Sequence, residues 1–165
     1  MKKMHVYSHT HWDYEWYFTA SESIIQLIYH MDEVISALES GTLKTYLLDS
    51  QVSILEEYLH MMPEKEPVIR KLVEEGKLMI GPWYTQSDEL IISGESLARN
   101  LWYGISYARE LGNCMMIGYL PDSFGQSKDM PKLYNGFDIR EALFWRGVPN
   151  RSEERRVGKE CINWC

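Results

Sequence analysis

Two patterns of apolar and polar positions alternate along the chain. Short apolar runs, rich in β-branched and aromatic residues, are separated by longer segments in which apolar residues recur at helical spacing. The clearest helical segment is 21–38, where apolar residues lie three or four apart between Ile24 and Leu38 and form one stripe. This alternation is typical of βα units and predicts a parallel sheet.

The apolar runs give the positions of the predicted elements. Strands are predicted at 4–8, 43–48, 78–80, 115–120 and 142–145. Helices are predicted at 21–38, at 54–76 with a break near Pro63, and at about 95–111. Polar or aromatic side chains follow each predicted strand, and in parallel α/β folds the functional site forms at the carboxyl ends of the strands. We therefore expect the functional residues at the edge of the sheet formed by the carboxyl ends of the strands.

The number of strands and the end of the chain define the predicted domain. A closed parallel barrel needs about seven or eight strands, so the five predicted here indicate a truncated α/β barrel over residues 4–149. Residues 150–165 follow neither pattern, and we interpret them as a non-native or disordered tail, produced by a foreign junction on a truncated reading frame. A native solvated tail is the alternative. Sequencing an intact gene across codon 151 would distinguish the two.

The composition of the chain limits the kinds of partner that it is expected to bind. With 45% apolar and 25% charged residues, the chain is typical of a globular protein. Its net charge of −7 argues against nucleic-acid binding, which relies on clustered lysine and arginine. No apolar run approaches the roughly twenty residues of a membrane span, so we expect no membrane partner. The residues after Met1 do not indicate a secretory leader, and the 3 cysteines do not indicate a disulfide framework. Both observations favour a location in the cytoplasm.

Three side chains after the first predicted strand have the spacing of metal ligands. His9, His11 and Asp13 lie two apart, so in an extended backbone they leave on one face. Imidazole nitrogen combined with carboxylate oxygen suits zinc or another divalent first-row metal. The spacing alone leaves open a second interpretation, in which these are polar turn residues beside a strand.

The segment around these residues resembles a known family. Residues 9–17 (HTHWDYEWY) are similar to the opening motif of glycoside hydrolase family 38, the zinc α-mannosidases, and segments 48–51, 81–86, 118–125 and 144–147 resemble the same family in order. The resemblance covers about residues 4–149. It implies the N-terminal part of a seven-stranded (β/α) barrel and a retaining α-mannosidase. The motifs are most similar to those of bacterial mannosylglycerate hydrolases.

The resemblance also implies the roles of particular residues. His11 and Asp13 correspond to zinc ligands, and Asp122 corresponds to the catalytic nucleophile, which also binds the metal. His9 is then a hydrogen-bonded histidine at the strand end. A retaining glycosidase needs an ionised carboxylate beneath the anomeric carbon, and a nearby cation keeps that carboxylate deprotonated. We expect the three ligand atoms to converge on one point, about 2.0–2.2 Å from each.

Further residues are implied to contact substrate. Trp16 corresponds to the aromatic platform under the sugar, and Arg146 to an arginine beside the nucleophile. Without the resemblance, they would be interpreted as a core tryptophan and a surface arginine. The remaining candidates line the sugar site or lie in the layer behind it, namely Trp83, Tyr84, Gln86 and Asp88. Asp49 and Gln51 belong either with these residues or with loop caps.

Two parts of the family's site have no counterpart in this sequence. The resemblance implies a general acid/base carboxylate and a further zinc-binding histidine beyond the matched segment, so we expect this chain to be inactive alone. Asp88 and Glu89 are not assigned as the acid, because the family motif does not give them that role. The expected substrate is an α-mannoside, with mannosylglycerate the first choice, and the full-length enzyme is expected to be a homo-oligomer.

Two other functions remain open at the level of the sequence. One is a non-catalytic module that binds metal or carbohydrate. The other is a metal-dependent carbohydrate deacetylase, which would need a His-x-x-x-His pair; only His5 and His9 have that spacing, and His5 falls within the predicted strand. Assays with an α-mannoside and with an acetylated sugar would separate the three functions.

Overall fold

The computed structural model describes residues 3–144 and 146–147, with strands and helices alternating. The strands are β1 (Ser8–Thr10), β2 (Tyr46–Leu48), β3 (Leu78–Met79), β4 (Ile117–Leu120) and β5 (Glu141–Phe144). The helices are α1 (Ala20–Glu39), α2 (Ser53–Met61), α3 (Glu66–Glu74), α4 (Gly94–Glu110) and α5 (Met130–Gly136), with a short 3-10 helix at Pro63–Lys65. None of these helices combines the length and apolar character that crossing a membrane requires.

All strand pairs are parallel, as the sequence predicts. β1, β2 and β3 form one sheet in that order, and β4 and β5 form a second. The buried Ser50 hydroxyl donates to the Tyr119 carbonyl (2.9 Å), and Met115 N–H donates to the Ile80 carbonyl (2.8 Å), so one side-chain and one backbone hydrogen bond join the two sheets. The described residues form five strands without a closed barrel.

The first strand differs from its prediction. A strand is predicted at 4–8, but β1 begins at Ser8, and the side chains of Met4 and Val6 are 86% and 82% exposed. Ser8 pairs with Tyr46, the first residue of β2, so the residues before Ser8 have no neighbouring strand to bond. Apolar character alone does not form a strand without that partner.

The helix predictions agree better with the structure. Thr19 and Glu22 form a capping box at the start of α1, and the break near Pro63 separates α2 from α3. Helix α5 has no predicted counterpart, because its seven residues are too few to show a helical period. Trp145, the two cysteines after Cys114 and the predicted tail at 150–165 lie outside the described residues.

The core lies between the helices and the central strands. Its largest fully buried side chains include Trp83, Tyr58, Leu48 and Leu101. Helix α4 crosses the chain that follows β3 at very short range: a Cβ atom added to Gly104 would lie 2.3 Å from the backbone of Pro82, Trp83 and Tyr84. Only glycine allows this approach. Residue 104 therefore sets how closely α4 packs against the loop after β3.

Replacing Gly104 by Ala should destabilise the protein by about 3 kcal/mol, because rigid backbone must move to admit the methyl group. Gly94→Ala is the matched control in the same helix, since nothing lies within 4 Å of its Cβ position. We expect the control to change the free energy of unfolding by less than about 0.5 kcal/mol. Thermal unfolding of the whole protein measures both changes. Equal melting temperatures for the two variants would contradict this packing.

Candidate active site

Three candidate ligands converge beyond the ends of β1 and β4. His11 Nε2 lies 3.5 Å from Asp13 Oδ1 and 3.5 Å from Asp122 Oδ2, and one ligand atom from each residue lies within 4.8 Å of the others. Ligands bound tetrahedrally at about 2.1 Å lie about 3.4 Å apart. The three residues are therefore close enough to hold one metal ion, as the sequence predicts. His9 is not among them; its Nδ1 lies 3.3 Å from the Thr10 carbonyl.

A buried carboxylate after β2 orients the histidine of this cluster. Asp49 is fully buried, and its Oδ2 lies 3.1 Å from His11 Nδ1. The Trp12 backbone N–H and Gln51 Nε2 donate to the same carboxylate, at 3.1 and 2.9 Å. With Nδ1–H facing Asp49, the free Nε2 lone pair faces the other two ligands. Asp49 and Gln51 thus lie in the layer behind the cluster and are not mere loop caps.

Burial and charge act in opposite directions on the His11–Asp49 pair. Burial lowers the pKa of His11, but the negative charges of Asp49, Asp13 and Asp122 outweigh it, so the pKa is raised above its ordinary value. Burial also raises the pKa of Asp49, against the opposing charge of His11. The pKa values of both side chains are therefore raised, each for a different reason: negative charge for His11 and burial for Asp49.

Arg146 contacts the predicted nucleophile directly. Its Nη2 donates to Asp122 Oδ1, and its guanidinium carbon lies 4.0 Å from the centre of the Phe124 ring. Asp122 therefore presents one oxygen to Arg146 and the other to His11. Such charge-assisted hydrogen bonds fix the position of a carboxylate.

The cluster opens into a pocket of about 470 Å³. His11, Asp13, Asp122 and Asp88 line it, together with Gln86. The other predicted contacts differ in position. Trp83 is fully buried and lies in the core behind the pocket, whereas Trp16 is 70% exposed, outside the lining, with its ring packed on Tyr17.

Sequence reasoning missed several lining residues. Tyr14 follows the metal-binding pattern, and Ser53 and Glu57 belong to the first two turns of α2, which starts directly after the Asp49 turn. Their position in the sequence could have identified them, because the first turns of a helix that follows a strand lie near the carboxyl end of that strand. The lining in the described part of the chain includes four carboxylates, namely Asp13, Glu57, Asp88 and Asp122, and neither lysine nor arginine.

Comparisons with known proteins identify relatives of the whole segment. The family profile described as "Glycosyl hydrolases family 38 N-terminal domain" matches residues 1–164. A protein of Halalkalibacterium halodurans named "Putative mannosylglycerate hydrolase" is 40% identical over 149 residues, which make up 89% of this chain and 17% of that protein.

Solved structures also match the segment. An alpha-mannosidase from Enterococcus faecalis V583 superposes with a TM-score of 0.80 at 37% identity, covering 84% of this chain and 16% of that one. Another structure from Enterococcus faecalis, of a protein in the glycosyl hydrolase family 38, gives a TM-score of 0.74 at 34% identity, with 84% and 16% coverage. The chain therefore spans less than a fifth of the length of these relatives.

Proposed function

The chain belongs to glycosyl hydrolase family 38, and from this premise we propose that the whole protein hydrolyses terminal α-mannosyl residues with retention of configuration. The observation that carries the proposal is the convergence of His11, Asp13 and Asp122 at the ends of two strands. The mannosidase and mannosylglycerate hydrolase names of its relatives support the substrate class. We also propose that the five strands belong to a seven-stranded barrel in the whole protein.

Asp122 is the proposed nucleophile. Its carboxylate attacks the anomeric carbon as the glycosidic bond breaks, and water then releases mannose from the covalent intermediate. The leaving oxygen takes its proton from a second carboxylate, which we place in a part of the protein beyond residue 149. Arg146 positions Asp122 for the attack by binding Oδ1.

His11, Asp13 and Asp122 are the proposed ligands of a zinc ion. One nitrogen and two carboxylate oxygens suit zinc, and a further histidine from elsewhere in the protein would complete four ligands. A bound zinc ion would supply positive charge that attracts hydroxyl groups of the sugar. Asp49 holds His11 in the orientation that such an ion requires.

Mannosylglycerate is the proposed substrate, and the charges of the pocket suggest how it binds. Four carboxylates line the described wall; Arg146 pairs with Asp122 from outside the lining, and no lysine or arginine lies in the lining beside the other three. An anionic glycerate group would be repelled there. We therefore place the mannosyl ring, and not the glycerate, against this wall, with the cations for glycerate supplied by other parts of the protein.

Assays of the purified whole protein test the function. We expect hydrolysis of an aryl α-mannoside and of mannosylglycerate, with α-mannose as the first product seen by proton NMR. A chelator should abolish turnover and zinc should restore it. Release of acetate from an acetylated sugar would instead support a deacetylase. Binding of mannose without turnover would support a non-catalytic module.

A further inference from the structure

The loop that carries Asp122 is held from the side of β5. We call residues 121–127, which follow β4, the Asp122 loop. Gln126 N–H donates to the Gly147 carbonyl at 2.9 Å, and a Cβ atom added to Gly147 would lie 2.8–2.9 Å from the backbone of residues 123–125. Within the loop, the Ser123 hydroxyl donates to the Gly125 carbonyl at 2.8 Å. The chain after β5 thus packs directly on this loop.

The other side of the Asp122 loop contacts the segment between β3 and α4. Ser127 N–H donates to Glu89 Oε2 at 2.6 Å. The next side chain, Leu90, covers Gly125 so closely that an added Cβ atom would lie 2.1 Å from Leu90 Cδ1. Among the described residues, no other hydrogen bond joins the segment 87–92 to the Asp122 loop.

Glu89 is an unusual residue to find buried. Its side chain is 4% exposed, and Oε1 has no hydrogen-bond partner among the described residues. Burial raises the pKa of Glu89 to about 7, although the Ser127 N–H lowers it. Leaving a buried polar atom unpaired costs about 1–3 kcal/mol. Such a cost is tolerated chiefly where a residue has a functional task.

From these contacts we propose that Glu89 is a positioning residue, which fixes the Asp122 loop through the Ser127 amide and thereby places the Asp122 carboxylate opposite His11. The inference rests on the proposed role of Asp122. Glu89 itself does not reach the reacting atoms; it lines neither the pocket nor the metal cluster. Its carboxyl can accept the Ser127 N–H whether it is protonated or ionised, because a carbonyl oxygen remains in both forms.

Two substitutions of Glu89 in the whole protein distinguish the effect of its hydrogen-bond acceptor from the effect of its charge. Glu89→Met retains the length of the side chain but removes the acceptor, and Glu89→Gln retains a carbonyl oxygen. A displacement of about 1 Å at a reacting group can cost 100-fold in rate. We expect Glu89→Met to lower kcat on an aryl α-mannoside by roughly 10- to 100-fold, with KM changed less than about threefold. Glu89→Gln should stay within about threefold of the unmodified protein.

Amide hydrogen exchange gives a second measurement, independent of activity. The Ser127 amide should exchange faster in Glu89→Met and at the normal rate in Glu89→Gln, because only the first variant lacks the acceptor. Glu95→Gln is the control, since Glu95 pairs with Arg99 on the exposed face of α4. It should leave both kcat and the exchange of residues 121–127 unchanged.

The outcomes distinguish this inference from the proposed function. Normal kcat and normal Ser127 exchange in Glu89→Met would overturn the inference, as would equal losses in the Met and Gln variants. If Glu89→Met does not fold, Glu89→Leu takes its place, because leucine also lacks an acceptor for the Ser127 N–H. Normal kcat and normal Ser127 exchange in that variant would also overturn the inference. If the unmodified protein cleaves no α-mannoside, the proposed function fails, while hydrogen exchange still tests the loop.

Discussion

Asp122→Asn should lower the α-mannosidase turnover of the whole protein by several orders of magnitude. The substitution removes the negative charge of the proposed nucleophile, and no other described carboxylate contacts both Arg146 and His11. Excess zinc should not restore activity, because zinc cannot replace the group proposed to attack the anomeric carbon. Steady-state kinetics at saturating zinc measure the loss, and a slow fluorinated mannoside should label the unmodified protein but not the variant.

His11→Ala is the matched comparison for this experiment. It weakens the metal site but leaves Asp122 in place, so part of the activity should return as zinc is raised, because mass action refills a weakened site. The two variants should therefore respond differently to added zinc. Near-normal turnover in Asp122→Asn, or identical zinc curves for both variants, would show that Asp122 is not the nucleophile and would favour the binding module.

Asp49→Asn should weaken metal binding by roughly 10- to 100-fold, although Asp49 is not itself a ligand. All three partners of its carboxylate can donate: His11 Nδ1, Trp12 N–H and the Gln51 amide. The NH2 group of an asparagine would face at least one of these donors, and two donors cannot form a hydrogen bond with each other. If it faces His11, the proton moves to Nε2, the atom that the cation needs.

Titration of the whole protein with zinc, followed by calorimetry, measures this change. Asp138→Asn provides the control, since Asp138 pairs with Arg140 on the surface and has a left-handed φ of 60°, which asparagine also adopts. We expect unchanged zinc affinity in the control. Unchanged affinity in Asp49→Asn would mean that His11 is oriented without its carboxylate partner.

The sequence predicts the order of the strands and of the longer helices, without α5, and the edge of the sheet where the candidate ligands meet. Both follow from local pattern, since His11 and Asp122 come directly after apolar runs. The contact between Asp49 and His11 depends on a turn in which Asp49 and Ser50 both have positive φ (42° and 60°). Neither residue is glycine, so no local signal predicts that turn.

Glu89 illustrates a second limit of sequence reasoning. Asp88 and Glu89 are adjacent acidic residues in a polar segment; Asp88 is predicted near the sugar site, and Glu89 has no predicted role. In the structure, Asp88 lines the pocket and Glu89 is buried. The difference arises because Glu89 packs against Ser127, which lies 38 positions later in the sequence. Such contacts follow from the assembled fold and leave no periodic trace in the sequence.

The division of the strands into two sheets has a consequence for the stability of the domain. His11 and Asp13 extend from the sheet of β1–β3, whereas Asp122 extends from the sheet of β4 and β5. An ion bound by all three would link positions 111 residues apart. Because its ligands come together only in the folded chain, its binding free energy would add to the stability of the fold. The three proposed zinc ligands would thus also hold the two sheets together.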